Sequence, residues 1–311
     1  MPDLFSSASA GRLSALRDYA RNMVKVSVII PHYEDLSGLR KCLAALDAQT
    51  LPRESFEIVV GDNGSPSGPA AVEEVIAGRA KLVTVLERGA GPARNGAVAA
   101  STGEILAFTD SDCVPEPQWL SAGLAALPAY DFVGGRVDVL VDDPEHPTAA
   151  EAFERVFAFN FEDYILKKGF TGSGNMFVSR AIFNHVGGFR VGVSEDAEWS
   201  FRARALGYRL GYAPEAAVGH PARRSWAELK AKGLRINSET YNLMLGQKNG
   251  RARWFARSMA MPLSAIAHTP RVLRSDKLPS VSARLGALAV LYRMRAWRFV
   301  DCNLLLLGLR K

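Results

Sequence analysis

The 311 residues are 48% hydrophobic and 23% charged, a composition that excludes disordered and fibrous classes and lets the chain bury one large core, or a core with a helical appendage. Its three cysteines, Cys42, Cys113 and Cys302, lie far apart without metal-ligand spacing, which fits reduced thiols in a cytoplasmic setting. The net charge of +6 divides unevenly: residues 1–220 carry 20 Lys+Arg against 28 Asp+Glu, and residues 221–311 carry 18 against 4. A basic final third on an acidic body suits an anionic membrane surface or phosphate groups, and equally a solvated face with no partner.

Residues 1–24 have the spacing of a short amphipathic helix, with acids and arginines and no long apolar stretch of a secretory signal. From Lys25 apolar strands alternate with helices. The strands are Val26–Ile30, Phe56–Val60, Lys81–Leu86 and Ile105–Thr109; the helices are Leu36–Leu46, one near Pro69–Ala77 and Pro92–Ala100. Continuous apolar strands between helices predict an α/β fold with a mostly parallel sheet covered on both faces. Farther on, Phe132–Val139 and Asn175–Val178 read as strands, Ala149–Leu166 as one long aromatic-rich helix, and Glu195–Leu206 as a helix ended by Gly207. Beyond His220 the pattern is helical, with breaks expected near Pro262, Pro270 and Pro279. The most apolar run, Leu285–Leu309, is interrupted by Arg293, Arg295, Arg298 and Asp301, so a membrane-spanning helix is not expected.

The strand Ile105–Thr109 runs directly into Asp110-Ser111-Asp112. Ligands gather at the carboxyl ends of strands in open parallel sheets, and in an extended segment two carboxylates one residue apart share a side. Such hard oxygen ligands suit Mg²⁺ or Mn²⁺ holding a diphosphate, although an isolated Asp-x-Asp is more often a solvated acidic turn. Two further strands end in polar loops, at Pro31-His-Tyr33-Glu34-Asp35 and at Gly61-Asp62-Asn-Gly-Ser65. Tyr33 could stack on a base and Asp62 accept from a base N–H or a ribose hydroxyl. Gly91-Pro-Ala-Arg94-Asn-Gly96 opens a helix, which sets Arg94 near a positive dipole end suited to phosphate.

Together these segments resemble the family-2 glycosyltransferases of GT-A fold over roughly Lys25–Pro221. The resemblance implies that Pro31, Tyr33, Glu34, Asp35, Asp62, Arg94, Asp110 and Ser111 serve the donor, commonly a uridine diphosphate sugar. It makes Asp112, with Asp110, the anchor of the divalent ion. Glu34 departs from the family's usual Asn. Gly172-Ser-Gly174-Asn175 and Ser194-Glu195-Asp196-Ala-Glu-Trp199 resemble the family's acceptor segments, which implies acceptor contacts from Gly174, Asn175, Glu195 and Trp199, and Asp196 as catalytic base. A carboxylate there can take the acceptor hydroxyl proton; placed at a helix start, it also suits the helix dipole alone. His220 matches a position where related enzymes use a third metal ligand, and a merely structural histidine after a strand explains it equally well. Arg223 and Arg224 stand where they could stabilise leaving phosphates.

The resemblance and the division of charge predict three regions: 1–24, a catalytic unit at 25–221 divided at 115/116, and basic helices at 222–311. The expected activity is inverting, metal-dependent transfer of one sugar from a nucleotide sugar to a glycan or lipid-linked acceptor, peripheral on the inner face of the plasma membrane. An oligomer of identical chains is compatible with this; nucleic acid is not an expected partner. Processive synthesis is disfavoured because Gln247 and Arg253-Trp254 lack the Gln-x-x-Arg-Trp spacing. A nucleotidyltransferase would need a basic Gly-rich loop after the first strand, and an oxidoreductase Gly-x-Gly-x-x-Gly; Pro31–Leu39 supplies neither. A silent sugar-binding scaffold of the same fold has no evident use for Asp196.

Overall fold

The computed structural model describes residues 26–310; the helix expected over 1–24 lies outside them. Four parallel strands form the first half of the sheet: β1 (Val26–His32), β2 (Phe56–Asp62), β3 (Lys81–Thr84) and β4 (Ile105–Thr109), in the order β3-β2-β1-β4. Helices α1 (Leu36–Asp47), α2 (Pro69–Ile76) and α3 (Ala90–Ala100) connect them. Side chains alternate across a strand, so one run of apolar residues supplies two cores. Val28 and Ile30 join Leu39, Leu43 and Val60 on one face, while Ile29 joins Val59, Leu106 and Phe108 on the other.

Beyond β4 the sheet continues as β7 (Asn175–Ser179), β6 (Phe132–Leu140), β8 (Leu210–Pro221) and β5 (Val114–Pro115). Strand β7 is antiparallel to both β4 and β6, β8 runs parallel to β6, and β5 is antiparallel to β8. The register of β6 against β8 shifts between Gly135 and Arg136. At Gly135 a Cβ would stand 1.9 Å from the Ala216 carbonyl, so the close approach of the two strands requires glycine. Helix α4 (Trp119–Ala126) packs near β8.

The helix expected over Ala149–Leu166 divides. Helix α5 (Ala149–Phe157) opens with a Thr148–Glu151 capping box and ends at Ala158. Phe159 then takes a left-handed φ of 52°, Asn160 caps a single turn, α6 (Phe161–Asp163), and a π turn over Tyr164–Lys168 stops at Gly169. A competing local cap at Asn160 outweighs the apolar periodicity here. Helix α7 (Arg180–Val186) follows β7, and α8 (Glu195–Ala205) precedes β8.

Three long helices complete the chain: α9 (Trp226–Leu245), α10 (Gly250–Leu273) and α11 (Val281–Leu306). The breaks expected at Pro262 and Pro270 do not occur; both prolines lie inside α10, and the chain turns at 246–249 and 274–280 instead. Loss of a hydrogen bond at each proline is offset by packing along the helix, where Trp254, Met261, Ala265 and Val272 are buried. Helix α11 lies against α5 through Ala287 and Leu291 on one side and Ala152 and Val156 on the other. Among the described residues no helix is long and apolar enough to cross a membrane.

Candidate active site

The carboxyl ends of β1 and β4 open into a cleft of about 1410 Å³, closed on its other sides by α5–α6, the start of α8, and α9–α11. Asp110, Ser111 and Asp112 line it where β4 ends, as do Pro31, Tyr33 and Asp35 from β1 and its loop. Tyr33 is 57% exposed at the mouth, and Asp35 also caps α1 by accepting from Gly38 N–H.

Asp112 faces His220. The imidazole Nδ1 lies 2.8 Å from the Pro221 carbonyl, which can only accept, so Nδ1 carries the proton. Nε2 lies 3.4 Å from Asp112 Oδ2. The ring is 7% exposed and packs on Phe159 at 4.3 Å between centroids. The left-handed residue that ends α5 thus supplies the wall behind His220. Burial pushes the Asp112 carboxyl above its ordinary range, and Asp110 adds to this while His220 opposes it. Two carboxylates beside an imidazole nitrogen are of the kind that could hold a divalent cation.

Ligand atoms of Asp110, Asp112 and Cys113 lie within 4.8 Å of one another, a grouping the sequence analysis did not include. Burial, then the charges of Asp110 and Asp112, raise the Cys113 thiol well above its usual value.

Arg94 ties the two halves of the cleft together. Its Nη2 donates to Asp110 Oδ1 at 2.5 Å and its Nη1 to Glu195 Oε1 at 3.1 Å, with the arginine side chain 5% exposed. The guanidinium is thus committed to carboxylates rather than standing free at the α3 N-terminus as expected. Burial opposes its charge, but Asp110 and Glu195 more than compensate and raise its pKa.

Next to Glu195, Asp196 lines the same cleft as Asp112. Its Oδ1 accepts from Ser194 Oγ at 3.1 Å and from Ala197 N–H at 2.7 Å. Burial, reinforced by the charge of Glu195, pushes its carboxyl above the usual range. A side chain at Gly172 would meet the Phe161 ring and Asp196 Oδ2, and one at Gly174 would meet Asp110 Oδ2 at 2.8 Å. Both glycines leave room beside the carboxylates.

Five expected site residues do not line the cleft. Asp62 accepts from Ser65 N–H and from Ser65 Oγ, and is 1% exposed. Glu34 is exposed and accepts from Ser67 N–H, so both acids brace the loop that follows β2. Asn175 is fully buried: it accepts from Trp119 Nε1 and donates to the Arg136 and Ala216 carbonyls, bracing the β6–β8 irregularity. Trp199 is also fully buried, stacked on Phe183 and donating to the Gly187 carbonyl. Arg224 pairs with Asp142 and Glu151 outside the cleft, whereas Arg223 lines it and pairs with Glu154.

Other cleft residues were not singled out from the sequence. Glu239 on α9 has a carboxyl pushed up to about 7 by burial, with Glu195 and Asp196 adding to the effect against Arg235. Phe161, Tyr164 and Phe170 form an aromatic wall next to Gly172. Phe170 opens the segment that runs into Gly172-Ser-Gly174, whereas no motif marks Glu239, Phe161 or Tyr164, because they meet the site only through tertiary packing.

The model of glycosyl transferase family 2 matches residues 27–187. The glycosyltransferase AglE of Haloferax volcanii is 30% identical over 280 residues, covering 88% of this chain and 91% of its own length. A pre-mycofactocin glycosyltransferase of Mycobacterium tuberculosis is 28% identical over 221 residues, 66% of this chain and 45% of its own. Among solved structures, the mannosyltransferase PcManGT of Pyrobaculum calidifontis, in complex with GDP-Man and Mn²⁺, matches with a TM-score of 0.62 at 21% identity, over 92% of this chain and 88% of its own. GalNAc-T7 with UDP, GalNAc and Mn²⁺ matches with a TM-score of 0.52 at 20% identity, over 65% of this chain and 44% of its own. These likenesses identify the fold as GT-A.

Proposed function

Because the chain belongs to glycosyl transferase family 2 and is therefore a glycosyltransferase using a nucleotide sugar, we propose that it moves one sugar, with inversion, from a nucleoside diphosphate sugar to a hydroxyl of a lipid-linked saccharide. UDP is the carrier we favour, with Mn²⁺ or Mg²⁺ as the ion. The observation that carries this reading is the single cleft shared by Asp110, Asp112 and Asp196, with Arg94 bridging Asp110 to the neighbour of Asp196.

In this reading Asp112 and Asp110, with His220, would hold the divalent ion, which would neutralise charge on the diphosphate leaving group. Pro31, Tyr33, Asp35 and Ser111 border the nucleoside. Asp196 takes the proton of the acceptor hydroxyl as its oxygen attacks the anomeric carbon. Attack comes from the side opposite the departing diphosphate, so a single displacement inverts the configuration. Burial raises this carboxyl above the usual range, which makes the carboxylate a stronger base than an exposed one. The room beside Gly172 and Gly174 is where the reacting hydroxyl and sugar would approach.

Helix α10 supports a membrane-proximal acceptor. Phe255, Met259, Leu263, Ile266 and Leu273 recur at helical spacing along it and are exposed, beside the arginines of the basic final third. The test of the reading is a thermal-shift screen of nucleotide sugars with Mn²⁺ or Mg²⁺, followed by NMR of the product anomer. Metal-dependent stabilisation by one sugar nucleotide and an inverted product are expected; a product that retains the donor's configuration would refute the single displacement.

A further inference from the structure

The cations of the cleft fall into two sets. Arg94, Arg190, Arg223, Lys232 and Arg235 are all ion-paired with carboxylates. Lys168, Arg253, Arg257, Arg295 and Arg298 also line the cleft, yet among the described residues none of these has an ion-pair partner; Arg253 is held by Gln247 Oε1 at 2.7 Å, which leaves four. They come from three elements, the π turn, α10 and α11.

What these four touch does not neutralise them. Arg298 Nε donates to Asn237 Oδ1 at 2.9 Å, and its Nη2 is buried without a partner. The carboxylate of Asp301 is taken by Arg310 at 2.5 Å and by Asn237 at 2.7 Å. Arg295 Nη1 reaches only Met261 Sδ, and its Nε is buried and unpaired. Lys168 and Arg257 are exposed and Arg295 and Arg298 half-buried, and what desolvation each has lowers its pKa. The charge of Arg257 further depresses Lys168, Arg295 and Arg298, bringing Arg298 down to about 10. Gathering like charges in a partly desolvated cleft is unfavourable unless an anion joins them. Guanidinium groups are matched in shape to phosphate oxygens, which they bind in pairs.

A path of aromatic rings leads from the proposed base to this cluster. Phe161 stands at Gly172 beside Asp196, and its ring centroid lies 5.8 Å from that of Tyr164. Tyr164 stacks on Phe170 at 5.2 Å and carries the Lys168 ammonium 4.6 Å above its ring. Flat apolar ring faces of this kind bind the C–H faces of sugars.

We propose that Lys168, Arg257, Arg295 and Arg298 form an acceptor-side anion site, which binds the phosphate or pyrophosphate carried by the acceptor saccharide while its sugar lies along Phe161, Tyr164 and Phe170. The inference rests on the transferase reading and names its acceptor class: a phosphorylated saccharide, on a long-chain alcohol or free in water. The site is separate from the donor diphosphate site at Asp112, whose ligands are carboxylates and an imidazole.

Calorimetric titration of the metal-free full chain with inorganic pyrophosphate isolates this site, because diphosphate binding at Asp112 requires the ion. Saturable binding is expected, weakened at least tenfold in Arg257→Gln and in Arg298→Gln and unchanged in Asp112→Ala. Arg257 is exposed and bonds to no other element, so its variant remains informative should Arg298→Gln, which loses the Asn237 contact, fold poorly. Absence of saturable binding in the wild-type chain, or equal binding by Arg257→Gln, would overturn the proposal. Metal-dependent nucleotide binding, measured separately, reports on the transferase reading, so the two failures are distinguishable. Displacement of pyrophosphate by a detergent-dispersed long-chain prenyl phosphate assigns a lipid-borne acceptor. Displacement by glucose 1-phosphate alone assigns a soluble one, and displacement by neither contradicts the proposal.

Discussion

Arg94 pairs with Glu195, 101 positions away in sequence, and with Asp110, so one side chain sets the separation between the two carboxylates. Breaking a buried ion pair leaves uncompensated charge. Arg94→Met should lower stability by on the order of 3 kcal/mol, the low end of the range for buried pairs because Asp110 is partly open to solvent; chemical denaturation measures this, and an unchanged midpoint would remove its tethering role. Asp112→Ala should abolish metal-dependent nucleotide binding, and calorimetry showing wild-type affinity with Mn²⁺ present would exclude Asp112 as a ligand. The principal acids were legible in the sequence because each stands where a strand ends or a helix starts. Asn175 was misread for a physical reason: side chains alternate along an extended chain, so Gly174 faces Asp110 while its neighbour turns into the core. Trp199 shares a helix turn with Asp196 but lies on its buried side.

The strands and helices of the first half follow directly from apolar periodicity, and β1 is buried along its whole length as a central strand should be. Less legible were the elements set by local caps and tertiary contact. The break after α5 depends on Phe159 and Asn160, and α10 continues through two prolines because its packing outweighs their disruption. Strand β8 depends on the irregularity in β6. Gly135→Ala should therefore destabilise the fold by about 2 kcal/mol through overpacking against a backbone carbonyl that cannot move aside, read as a lowered melting temperature. Helix α9 brings Glu239 to the cleft, and its titration gives a pH dependence with a definite sign. Its folded pKa of about 7 exceeds the ordinary 4.5, so the folded chain holds more protons between those values and stability falls as pH rises through them. Glu239→Gln removes this loss. Its melting temperature relative to wild type should rise from pH 5 to pH 8, and a difference independent of pH would show that Glu239 does not titrate there.

As a whole the molecule joins an α/β sheet that carries the carboxylates to a basic helical module that carries most of the cleft's cations. The +14 imbalance of residues 221–311 announced such a division, but composition could not say which cations face the cleft and which face solvent. Nor could it show that α10 presents an exposed apolar stripe. We expect the protein to float with vesicles containing phosphatidylserine at low salt and to be released as ionic strength rises. Leu263→Asp with Ile266→Asp should weaken that association, and recovery of wild-type protein only in the soluble fraction would contradict it. The central claim is that a metal-held diphosphate and a catalytic base share one cleft. It is tested most directly by measuring transfer rate and Mn²⁺-dependent nucleotide affinity together in Asp196→Asn. The account predicts a rate loss of about 10²–10⁴ with affinity unchanged; near-normal turnover, or loss of nucleotide binding alongside the rate, would contradict it.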